Sequence, residues 1–129
     1  MTWPEIRAKF GTTHHRKRLL AGLADAMALL AAAGCPRLYL DGSFITRERY
    51  PRDYDCCWED GAVNWASLDP VFTDFSKGTA AQKKRFKGEF YPAGFVEART
   101  LLTFKEFFQQ DRDGNPKGIV AINLGGLAP

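Results

Sequence analysis

The chain has 129 residues, enough for one domain, and 45% hydrophobic with 13% aromatic residues is ample for a packed core. The formal net charge of +3 is too small for a dedicated nucleic-acid binder and fits a protein that meets anionic ligands at one place. No apolar run approaches the roughly 18 residues of a membrane span. MTWPEIRAKF has no apolar core before a small-residue cleavage site, so no secretory leader is expected.

In chain order, Trp3, Ile6 and Phe10 recur at helical spacing, predicting a short helix that ends near Gly11. Thr12 or Thr13 caps a long helix over about 14–33, with Leu19, Leu20, Leu23, Met27, Leu30 and Ala31 on one stripe. Gly34 ends it and Pro36 prevents its continuation. A short strand is expected over 38–41, a break at Gly42-Ser43, and a second strand over 53–58, the two pairing as neighbours. Residues 63–75 are mixed, with Pro70 as a break. A helix follows over about 79–86, then a strand over 89–92, and a helix over 104–111 capped by Thr103. Asp113-Gly114-Asn115-Pro116 is a turn signal, and 118–124 reads as a final strand. The order predicts an α/β (α+β) single domain over 1–129, with a mixed sheet of about four or five strands covered by helices.

Cys35, Cys56 and Cys57 are an odd set with two adjacent, which makes neither a disulfide framework nor a zinc site. Reduced thiols and a cytoplasmic location are the expectation, with Cys56 and Cys57 as small buried residues.

The chemistry concentrates in LDGSFITRERYPRDYDCCW. Side chains alternate along a strand, so Asp53 and Asp55 project together and Tyr54 projects the other way. Their carboxyl groups stand roughly 6–7 Å apart by strand geometry, too far for a hydrogen-bonded dyad and suited to sharing one or two divalent cations. Like charges left bare on a half-buried strand repel, and a cation removes that cost. Gly42 admits a close ligand, and a helix opening at Ser43 turns free N–H groups toward a phosphate. Arg47, Arg49 and Arg52 lie between the two elements.

These stretches resemble the minimal nucleotidyltransferases of the polymerase-β-like superfamily. In that superfamily a helix-opening Gly-Ser precedes D-x-D on the next strand. HRKRLLAGL, AAAG, LDGSFIT, PRDYDCCW, GEFYPA and FKEFFQQDRDGNPKGIVAINL resemble more closely a small, uncharacterised bacterial and phage subgroup, DUF6932-like, across nearly the whole chain. The resemblance implies a nucleotidyltransferase-like fold, with Gly42 and Ser43 on the triphosphate and Asp53 and Asp55 on magnesium or manganese. Arg47 and Arg52 would border the nucleotide. A third carboxylate on a later strand is implied; Glu89 is the candidate, a departure from the usual Asp, and Glu97 is the runner-up. The implied activity moves a nucleoside monophosphate from a nucleoside triphosphate to a hydroxyl of a protein or RNA acceptor, with no membrane partner. The alternative is a catalytically inactive binding or regulatory module, such as a toxin–antitoxin partner.

Outside that constellation, Lys83, Lys84, Arg85 and Lys87 form a basic run that either grips phosphate or is a solvated helix face. His14 to Arg18 place cations at a helix start, against its dipole, and read as a solvated terminus, the alternative being an anion bound nearby. Lys117, with Asp111 and Asp113, is expected to shape the DGNP turn. Phe104, Phe107 and Phe108 are spaced as a core face.

Overall fold

The computed structural model describes residues 2–41, 53–110 and 113–125. Gly42, Ser43, Arg47, Arg49, Arg52 and Asp111 lie outside the described residues.

Helix α1 (Trp3–Phe10) starts on a capping box in which Thr2 and Glu5 exchange hydrogen bonds. Helix α2 (His14–Ala32) is capped by Thr13 and ends at Gly34, whose φ of +92° is the left-handed conformation that stops a helix cheaply. Strands β1 (Arg37–Asp41) and β2 (Tyr54–Trp58) follow. After a 3₁₀ turn at Pro70–Thr73 come α3 (Ser76–Phe86), β3 (Gly88–Pro92), α4 (Phe104–Phe107) and β4 (Ile119–Asn123).

Among the described residues the strands form one sheet in the order β3-β2-β1-β4. β1 runs antiparallel to both β2 and β4, and β2 runs parallel to β3. The sheet is therefore mixed and α/β, as the element order predicts.

Alternation divides the side chains between two faces. Leu38, Leu40, Tyr54, Cys56, Trp58, Phe90, Val120 and Ile122 pack with α1, α2 and α3 in the main core. Tyr39 and Cys57 face the other way and pack with Ala93 and Phe108, flanked by Tyr91, Phe104 and Phe107. Gly22 is where α2 meets the end of α3. A Cβ there would stand 2.1 Å from the Phe86 carbonyl oxygen, so only glycine permits the approach. Buried Gln82 ties α3 to its surroundings, donating to the Val71 carbonyl and accepting from the Phe90 N–H.

Three expectations are corrected. The helix expected over 104–111 is one turn, Phe104–Phe107, because the DGNP turn draws the chain back: Gln110 bridges to Pro116 and the Lys117 N–H donates to the Gln109 carbonyl. Lys117 does not serve that turn with its side chain, which reaches Asp41 at 2.9 Å. The α2 start is not simply solvated. Arg16 is buried and its Nε donates to the Phe10 carbonyl at 2.6 Å, turning the corner between α1 and α2.

Candidate functional site

Tyr54 sets the orientation of the D-x-D strand. Its ring is buried in the main core, and its hydroxyl donates to the Phe86 carbonyl at 2.6 Å. With Tyr54 fixed inward, Asp55 must point to the opposite face. In the parallel register Asp55 stands beside Glu89. Continuing the antiparallel ladder one step past the Leu40–Cys56 pair sets Asp41 on the other side of Asp55. Asp41, Asp55 and Glu89 thus form a row across three neighbouring strands, on the face that carries Tyr39, Cys57 and Tyr91.

This row is crowded with negative charge. Asp55 has its carboxyl pushed up to about 7, by burial first, then by the charge and hydrogen bond of Glu89, then by Asp53 and Asp41. Asp55 therefore holds its proton more tightly than an ordinary carboxyl and shares it with Glu89. Burial also works against ionised Glu89, but hydrogen bonds from Lys83, Thr79 and Asp55 outweigh it and hold Glu89 below the usual range. Lys83 Nζ and Thr79 Oγ each lie 2.9 Å from Glu89 Oε1, and the Tyr91 hydroxyl donates to Oε2 at 3.2 Å.

Thr79 reaches Glu89 through an unusual backbone. Lys77, Gly78 and Thr79 all have φ between 53° and 63°, a left-handed turn before the regular part of α3. For β-branched Thr79 that conformation costs on the order of 1–3 kcal/mol, and strain of this kind concentrates at functional sites.

Asp53 precedes β2 and is half-buried at the edge of a cleft of about 280 Å³, lined also by His15, Arg18, Leu19, Lys83 and Lys87. Asp41 is buried and paired to Lys117. Glu97 has other work: it accepts from the Arg99 N–H and Nε and from the Thr100 N–H and hydroxyl, closing the 97–102 turn, and these bonds bring its carboxyl down to about 2. Arg85 is taken by Asp69 at 2.8 Å.

Hard, anionic oxygens are the donors magnesium prefers, so Asp55 and Glu89 suit a divalent cation once their shared proton leaves. Among the described residues no group of three or more His, Cys, Asp or Glu side chains is arranged around a single point where a metal would sit. The described arrangement is a close pair, with Asp53 and Asp41 acting on it through their charge.

The family model that matches the chain covers residues 1–123. The chain belongs to DUF6932, a family of unknown function. Comparison with curated proteins and with solved structures gives no match. In this DUF6932 chain the indications of function lie in the site itself. Sequence reading had singled out Asp53, Asp55 and Glu89, and the fold sets the last two side by side with Asp53 in their field. It missed Asp41, Lys117 and Thr79. The signal for Asp41 was its place at a strand end with the face parity of Asp55; Thr79 and Lys117 had none, since their partners lie 10 and 76 residues away.

Proposed function

We propose that the protein is a magnesium-dependent nucleotidyltransferase, which moves a nucleoside monophosphate from a nucleoside triphosphate to a hydroxyl of a protein or RNA acceptor. The observation that carries this reading is the Asp55–Glu89 pair. The second acid of a D-x-D strand meets a carboxylate on the neighbouring parallel strand, as the resemblance to the minimal nucleotidyltransferases implies. Asp55 and Glu89, with Asp53 beside them, are the residues that would hold magnesium or manganese. Such ions, when bound, stabilise the attacking and leaving oxygens of an in-line phosphoryl displacement. In the transfer the acceptor hydroxyl gives up its proton to solvent, its oxygen bonds to the α-phosphorus, the bond to the bridging oxygen breaks, and pyrophosphate leaves.

The protein's own groups prepare that step. Once the proton held by Asp55 leaves, the Asp55–Glu89 pair is dianionic, the form that suits a divalent cation. Thr79 and Tyr91 fix the rotamer of Glu89 through its two oxygens. Gly42 and Ser43 are assigned to the phosphates, with Arg47 and Arg52 beside them, on the resemblance alone.

A second reading, a binding or regulatory module without turnover, such as a toxin–antitoxin partner, has one observation in its favour. Lys83 already supplies a cation to Glu89 at 2.9 Å. Turnover separates the two. Incubation with a panel of nucleoside triphosphates labelled at the α-phosphate, with magnesium, should label an acceptor and release pyrophosphate, and Asp55→Asn and Glu89→Gln should abolish both. Magnesium-dependent binding without labelling selects the module; the absence of any triphosphate binding overturns the nucleotidyltransferase and leaves a fold that serves a protein contact.

A further inference from the structure

The two basic runs, HHRKR at the start of α2 and KKRFK at the end of α3, are 65 or more residues apart in sequence. Packing of α2 on α3 at Gly22 and Phe86 brings them together. His15 and Arg18 come from the first run and Lys83 and Lys87 from the second, around the same cleft of about 280 Å³. No acidic residue occupies the first turn of α2, so the sequence of that turn adds only basic groups at the positive end of the helix dipole. Asp53 is the acid among the lining residues. The cleft therefore concentrates positive charge next to the carboxylate row.

We propose that this cleft is a phosphate subsite, which takes the phosphate groups of a nucleotide or of a nucleic-acid strand and delivers them past Asp53 to the edge of the Asp41–Asp55–Glu89 row. Its size supports phosphate groups alone: it falls at the lower limit of the roughly 300–1,000 Å³ that whole small-molecule ligands occupy. Arg18 supplies a planar fork for phosphate oxygens, and the lysines supply point charges. Lys83 links the two sites. It pairs with Glu89 in the present structure, and a cation on Glu89 frees its ammonium to turn to the phosphate. Asp53 opposes a phosphate in the absence of metal and favours it when a divalent cation lies between them. This last point rests on the nucleotidyltransferase reading; phosphate binding itself does not.

The test is calorimetric titration of the full chain with inorganic tripolyphosphate and, separately, with a single-stranded oligoribonucleotide lacking terminal phosphates, each with and without magnesium. The variants are Arg18→Ala/Lys87→Ala, Arg18→Lys and Asp53→Asn. Arg18 and Lys87 are exposed, so their replacement should leave the melting temperature unchanged. Without metal, the wild type is expected to bind at least one probe, the double variant to bind it at least 10-fold more weakly, and Arg18→Lys to retain most of the binding. Asp53→Asn should bind more tightly than wild type without magnesium and more weakly with it. A response to tripolyphosphate assigns a nucleotide tail, a response to the oligonucleotide assigns a strand, and both support the subsite. Binding of neither probe by the wild type, or equal binding by the double variant, overturns it. If the metal-free effects hold and magnesium does not invert the Asp53→Asn effect, the subsite stands and the nucleotidyltransferase reading falls.

Discussion

Asp55 and Glu89 stand side by side on parallel strands β2 and β3, close enough to share a hydrogen bond and for Glu89 to be a principal cause, after burial, of the raised Asp55 carboxyl. The two acids respond in opposite ways. Asp55 lies deeper and keeps the proton, while Glu89 has Lys83, Thr79 and Tyr91 around it and stays ionised.

That asymmetry has a sign in stability. Asp55 binds its proton more tightly in the folded chain, at about 7, than in the unfolded chain, at 3.8. Its contribution is fully present below pH 4 and is lost as pH rises from 4 through 7. The loss has an upper bound of about 4 kcal/mol at 1.36 kcal/mol per unit, and proton sharing with Glu89 reduces it. Asp55→Asn should raise the melting temperature by several degrees at pH 8 and leave it nearly unchanged at pH 4. Thermal denaturation across that range checks it, and a larger gain at pH 4 than at pH 8 contradicts the assignment.

Divalent cations should act on the same charge. At pH 8, millimolar magnesium or manganese should raise the melting temperature of the wild type and leave Asp55→Asn/Glu89→Gln unaffected. Equal stabilisation of both proteins places the ion elsewhere.

Thr79 carries strain in order to present its hydroxyl. Thr79→Ser keeps the donor and removes the branched methyl, so stability should hold or rise slightly. Thr79→Val keeps the branch and removes the donor from Glu89, and should cost about 1–2 kcal/mol. Urea denaturation of the pair discriminates; similar midpoints for both variants mean the hydroxyl contributes nothing.

Asp41 is buried, and Lys117 neutralises it from two residues before the last strand. Lys117→Met should destabilise by roughly 1–3 kcal/mol, less than a fully buried pair because Lys117 is partly exposed. Asp41→Asn/Lys117→Met should recover part of the loss. A double variant that is additive in its two single effects shows that the pair is not coupled.

Gly22→Ala forces a methyl group into the Phe86 carbonyl. The expected cost is about 2–4 kcal/mol, from overpacking of backbone that cannot rotate away. An unchanged denaturation midpoint shows that α2 and α3 can separate freely, which also opens the basic cleft.

Much of this molecule is determined locally. The Thr13 cap, the stripe of Leu19, Leu23, Met27 and Leu30, and Gly34 specify α2 because capping, period and left-handed glycine act within a few residues. Two-residue alternation determines that Tyr54 and Asp55 take opposite faces of the sheet. The apolar spacing of Phe104, Phe107 and Phe108 continues past the end of α4, because the DGNP turn, acting through Gln109 and Gln110, cuts the helix short. Only tertiary structure decides which carboxylate Asp55 meets. The parallel pairing of β2 with β3 selects Glu89, while the 97–102 turn consumes Glu97. Only tertiary structure gives Asp41 to Lys117, Thr79 to Glu89, and the two basic runs to one cleft. Charges and hydrogen-bonding groups far apart in sequence carry no local period, so their partners are set by strand order and helix packing.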